Sequence, residues 1–165
     1  MPGILISHRD DPRSLASAIY GLVVVVSLLA VYGNDTSKRL GQIAGGIVVT
    51  AIVFWVAHVY TALVEHRRER GHRASLAEIR TTAREDLPLV TSTLVPVLVL
   101  IVGATGLIER DTAVTLATVF CLTELFLVGA LLEREEGGSP REVLVSGLIS
   151  LSFGLVVILL KALIH

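Results

Sequence analysis

Charge is scarce in this 165-residue chain, and so are aromatic rings and cysteine. Charged residues make up 18% and aromatics 5%, and Cys121 is the single cysteine. A soluble domain usually carries about 25% charge. One cysteine excludes an internal disulfide and is silent about redox compartment. The net charge of −1 leaves no global basic field, so nucleic acid is excluded as a partner. The recurring catalytic patterns are missing as well. There is no Gly-rich phosphate loop, no Gly-x-Ser-x-Gly, no His-Glu-x-x-His and no Cys-x-x-Cys. The expectation is a protein with no enzymatic activity and no cofactor. No internal repeat or low-complexity tract is present.

What the chain has in excess is apolar length. Hydrophobic residues reach 53%, and the mean hydropathy is +0.74. They are gathered into five blocks, at about 14–32, 43–64, 87–108, 112–132 and 141–163. About 20 apolar residues in a helix cover the roughly 30 Å of bilayer hydrocarbon. The predicted fold class is therefore all-α, a single polytopic domain of five membrane helices over residues 1–165. The first block follows a segment of mixed sign, His8 to Arg13, and exceeds the about 7–15 apolar residues of a signal peptide. It reads as a retained span. Its run Val23-Val24-Val25-Val26 would favour a strand in water, but in lipid the backbone has to bond within its own segment, which selects helix.

The most charged stretch, residues 65–86, links the second and third spans. Within it Ser75-Leu76-Ala77-Glu78 matches a capping box. Leu76, Ile79, Ala83 and Leu87 then recur at helical spacing. Two readings fit: an amphipathic helix on the membrane surface, or a solvated helix covering the ends of the spans. Pro96 lies inside the third block and should bend it. Glu109-Arg110-Asp111 is short enough to make spans three and four antiparallel neighbours.

Basic residues set the orientation. Counted by alternating sides, ten Lys and Arg lie on one side and four on the other. That bias places the N-terminus in the cytoplasm and the C-terminus outside, in a multi-pass protein of the cell (inner) membrane.

Depth along each helix then brings polar groups to one level. His58 lies six residues before the inner end of span two, at a depth of about 9–10 Å. Glu124 lies eight residues before the inner end of span four, at about 12 Å. Tyr20, Ser92, Thr93, Ser146 and Ser150 fall at similar depths in the other spans. The outer halves, such as Val97 to Val102 and Leu155 to Leu160, are wholly apolar. A charged side chain near mid-membrane costs at least about 2.5–3.5 kcal/mol, so these groups are expected to turn inward and find partners. His58 and Glu124 form a candidate proton- or ion-responsive cluster with the five hydroxyl residues. Interhelical bonding alone is the competing role for His58. A metal would need a further ligand at that depth, and none is there. Trp55 and Tyr60 suit packing or interfacial anchoring, Lys161 suits snorkelling to the surface, and Glu85-Asp86 reads as a solvated rim.

Small residues recur every four positions at Ser146-Ser150-Gly154, Gly41-Gly45 and Ser17-Gly21. Such faces serve packing within the chain, a homo-oligomer or a membrane-protein partner equally well. The stretch Trp55-Val56-Ala57-His58-Val59-Tyr60, the arginine-rich loop, Arg84-Glu85-Asp86-Leu87-Pro88 and the Val157–Lys161 ending together resemble a family of small integral membrane proteins of high-GC Gram-positive bacteria. Its Ala-His-x-Tyr motif lies in the second helix. The resemblance implies a membrane location and attaches no activity. Two functions follow as expectations: proton or cation permeation through the polar cluster, or a non-catalytic accessory or scaffold role in which the cluster only fixes helix packing.

Overall fold

The computed structural model describes residues 12–33, 35–70 and 75–164. Seven helices follow in order: α1 Pro12–Tyr32, α2 Leu40–Arg70, α3 Leu76–Glu85, α4 Pro88–Thr91, α5 Leu94–Ala104, α6 Arg110–Glu135 and α7 Pro140–Ile164. There is no strand among the described residues. The valine run of α1 is helix throughout, and Val25 and Val26 are fully buried.

Four helices, α1, α2, α6 and α7, are each long and apolar enough to cross a membrane. A fifth crossing exists only if α3–α4 and α5 count together, and these are bent by 42° at their junction. The continuous third span expected at 87–108 is thus broken at Ser92-Thr93. Pro96 explains where. It has no N–H for the carbonyl of Ser92 four residues earlier, and its ring crowds that carbonyl. The backbone adapts there: the Thr93 N–H turns to Val90 O, leaving Leu89 O without its helical donor. The Ser92 hydroxyl donates to Leu89 O at 3.3 Å, and the Thr93 hydroxyl donates to Val90 O at 2.8 Å. Two of the expected site residues are engaged in repairing a helix break.

Burial identifies the centre of the bundle. Of the apolar window of α1, 44% is buried, against 28% for α6 and 17% for α2 and α7. The helix that most resembled a leader in sequence is the central post. Leu22, Val25, Val26 and Leu29 of α1 meet Ile43 and Ile47 of α2, Leu100 of α5, and Ala113, Ala117, Cys121 and Leu125 of α6. The buried face of α6 is small along most of its length, so its neighbours approach closely, and the Cys121 thiol donates to Leu22 O at 3.3 Å.

Two of the three small-residue faces pack inside this chain. A methyl at Gly21 would collide with the Leu89 carbonyl, which fixes α1 against α4. One at Gly129 would collide with the Ser150 side chain, and Ser146 donates to Gly129 O at 2.9 Å, which fixes α6 against α7. Gly41 and Gly45 on α2 have nothing within 4 Å.

The two ends of the bundle are secured differently. At one end Arg110, the first residue of α6, donates to the carbonyls of Lys38 at 2.7 Å, Asp35 at 2.8 Å and Gly33 at 3.3 Å. This guanidinium pins the turn between α1 and α2. Within that turn the hydroxyl and then the amide of Ser37 hold the Asp35 carboxyl below its ordinary value of 3.8. A lowered carboxyl stabilises the fold above its ordinary range, so this contribution fades as pH falls through the lowered value. At the other end, which carries most of the arginines, Ser75 and Glu78 make both bonds of a capping box at the start of α3. The Trp55 indole donates to Ala83 O at 2.9 Å, holding α3 against α2.

Gly129→Val should destabilise the protein by about 1–3 kcal/mol, the usual cost of forcing extra atoms into a packed contact. Unfolding in mixed detergent micelles, read by far-UV circular dichroism, measures it. Gly45→Val, on the open face of α2, should change stability far less.

Candidate functional site

The seven residues expected in one polar layer occupy four separate surroundings. Tyr20 and His58 meet, with ring centroids 5.3 Å apart and planes tilted by 52°. Ser92 and Thr93 serve the break between α4 and α5, and Ser92 also reaches Ala18 O at 3.5 Å. Ser146 and Ser150 sit at the α6–α7 contact over Gly129. Glu124 stands apart on α6, half-buried, with Oε2 shielded and without a hydrogen-bond partner. No hydrogen bond or ion pair joins it to His58.

The residue that completes a site around His58 is Asp86. Read as part of a solvated rim, it is 2% exposed. Its Oδ1 accepts a hydrogen bond from the Ser17 hydroxyl at 2.8 Å. Its Oδ2 is buried and has no partner. Asp86 reaches this position because α3 ends there. Leu87, the residue before Pro88, keeps helical geometry at φ −58° and ψ −32°, so the chain passes from α3 into α4 without a sharp turn. Here α3 stops at Glu85, Asp86 caps it, and α4 restarts with Pro88 at its first position. Beyond that point α4 packs against α1 and α2. The partner, Ser17, is 69 residues away and left no local trace.

Asp86, Ser17, Tyr20, His58, Thr61 and Glu65 line an open groove of about 260 Å³ between α1, α2 and the α3–α4 junction. A larger crevice of about 730 Å³ lies near the Arg110 end, between α1, α6 and α7, but its walls are mainly aliphatic. The smaller groove is the chemically equipped one, because it contains a buried acceptor with nothing bound to it. A carboxylate oxygen shut away from water is costly unless a hydrogen bond, a proton or a cation satisfies it. Among the described residues, no three of His, Cys, Asp and Glu gather closely enough to hold a metal ion.

Of the three hydroxyls of the groove, those of Ser17 and Thr61 are committed as donors, and that of Tyr20 makes no hydrogen bond among the described residues. Ser17 gives its proton to Asp86, and Thr61 gives its proton to His58 O at 2.8 Å. Their oxygens keep lone pairs. The groove therefore offers acceptors at Asp86, Ser17 and Thr61, beside a Tyr20 hydroxyl and a His58 imidazole that can each donate or accept.

Ser17→Ala should cost about 1–3 kcal/mol of stability, because it leaves a buried carboxylate with no hydrogen bond at all. Ser17→Thr, which keeps the hydroxyl, should recover most of it in the same micelle unfolding assay.

Compared with known protein families, curated proteins and solved structures, this chain matches none, so its function is read from its own geometry.

Proposed function

We propose that this chain is a small, non-enzymatic integral membrane protein that takes up a proton or a small cation in the groove between Asp86 and His58. The reading counts the bent α3–α4–α5 segment as one crossing, for five spans in all. The ten-to-four distribution of Lys and Arg then puts the arginine-rich end and the N-terminus in the cytoplasm and the C-terminus outside, across the cell (inner) membrane. The groove opens at that cytoplasmic end. Helix α3, with Arg80 and Arg84 exposed, forms the cytoplasmic start of that bent crossing. The Gly41–Gly45 face of α2 meets lipid, a second copy or a partner helix.

One observation carries the reading: Asp86 is buried, holds one oxygen without a partner, and shares its groove with an imidazole. Of the three buried side-chain atoms without a partner among the described residues, Arg110 Nε belongs to a guanidinium already holding three carbonyls, whereas Asp86 lines a groove that an ion can enter. Glu124, on α6, is the second acceptor with an unspent oxygen and serves as a deeper station for the same ion.

A scaffold role is favoured by a different observation. Several side-chain bonds do tie helices: Ser17 to Asp86, Trp55 to Ala83, Ser92 to Ala18 and Ser146 to Gly129. All of these leave Asp86 Oδ2 and Glu124 Oε2 unused.

The purified chain in liposomes should dissipate an imposed proton or alkali-cation gradient, followed with an entrapped ion-sensitive dye. Asp86→Asn and Glu124→Gln should each slow the flux by at least about tenfold, equivalent to about 1.4 kcal/mol in occupancy of the ion's station. His58→Ala should slow it and change its pH profile. A wild-type protein with no flux under proton, sodium and potassium gradients leaves the scaffold reading in place.

A further inference from the structure

We infer that the Asp86 groove is a binding site for a small primary alkylammonium ion, with the ammonium group on Asp86 and the alkyl part against Tyr20. The inference rests on the uptake reading above and names the class of cation. Four features of the groove converge on it.

Size comes first. At about 260 Å³, the groove is several times the roughly 30 Å³ that one water occupies in the liquid, which is more room than a proton or a bare alkali ion requires. Charge comes second. Asp86 sits inside the groove and Glu65 lines it as well, while no Lys or Arg is among its described lining residues. The occupant is a cation, although the surrounding end of the protein is rich in arginine.

Hydrogen-bond polarity is the third feature. The Ser17 and Thr61 protons are spent on Asp86 and on His58 O, so these two lining hydroxyls keep only acceptor capacity, while the Tyr20 hydroxyl and the His58 imidazole can adapt to either role. Asp86 Oδ2 is a further acceptor with no donor. A primary ammonium carries three donors and no acceptor, the complement of this set. A quaternary ammonium has no N–H to offer, and a metal ion lacks a group of three ligating residues here.

The walls are the fourth. Tyr20 is 58% exposed, and its ring is braced by His58 at 5.3 Å. Ala16 and Ala62 add apolar surface beside it. An aromatic face attracts an ammonium ion, and the alanine methyls accommodate a short alkyl chain.

The test is isothermal titration calorimetry on the full chain in nanodiscs, with n-butylammonium, tetramethylammonium and potassium as probes. One butylammonium should bind per chain, more tightly than either other ion. Asp86→Asn should weaken it at least about tenfold, and Tyr20→Leu by roughly two- to fivefold, the range for an aromatic face on a cation. Lys161→Gln, on α7 near the Arg110 end, should leave binding unchanged. If Asp86→Asn does not fold, as judged by circular dichroism and gel filtration, Glu65→Gln and Tyr20→Leu decide, and both should weaken binding. Equal affinity for butylammonium and potassium, or affinity indifferent to all the groove variants, overturns the inference. Proton flux in liposomes without any butylammonium binding overturns it while leaving the uptake reading intact. Butylammonium binding in a protein that passes no ion supports the site and removes transport from the reading above.

Discussion

A polar group set among apolar helices finds its partner within the chain or goes without one, because neither lipid nor a packed aliphatic core supplies a hydrogen bond. That constraint accounts for most of the architecture. The 42° break in the third apolar segment leaves Leu89 O without a helical donor, and Ser92 supplies one. The Arg110 guanidinium closes three carbonyls of the turn between α1 and α2. The Trp55 indole reaches the backbone of α3, and Cys121 reaches the backbone of α1. In each case the acceptor is a backbone carbonyl, which no side-chain substitution can remove.

Close approach is the second requirement, because these bonds span helices. Gly21 brings α1 onto α4, and Gly129 brings α6 onto α7. With the backbones that near, Ser92 reaches Ala18 O and Ser146 reaches Gly129 O. Small residues and hydroxyls therefore act together: the glycine provides the proximity and the serine uses it. α1 is central because its neighbours use different faces of it: α4 at Gly21, α6 at Leu22, and α2 beside Tyr20.

Against that background the exceptions stand out. Asp86 Oδ2 and Glu124 Oε2 are carboxylate oxygens without donors in a fold that otherwise goes to some length to provide them. Asp86 is the more telling, since it is almost fully buried, already holds Ser17, and opens on a groove with an imidazole and a phenol ring. Locally unsatisfied positions in an otherwise consistent fold are where function concentrates.

The all-helical class and the places of the long apolar helices were legible in the sequence, because hydropathy over about 20 residues is a local sum that no tertiary contact overrides. The capping box of α3 was legible for the same reason, as was a bend owed to Pro96, though it falls four residues earlier, where the missing donor is felt. Position along each helix axis was also legible, since every residue of a helix advances about 1.5 Å. Direction around the helix axis was not. Residue counting put His58 and Glu124 at one level, but a level says nothing about azimuth, and no bond joins the two. Asp86 was lost for the converse reason. Its sequence surroundings are charged, and only the packing of the α3–α4 junction onto α1, against a serine 69 residues away, makes it a buried group. The sequence by itself determined which segments are helices and how far along each one a polar group lies. Tertiary packing decided which of those groups meet, because that depends on helix rotation and on backbone approach between residues far apart in the chain.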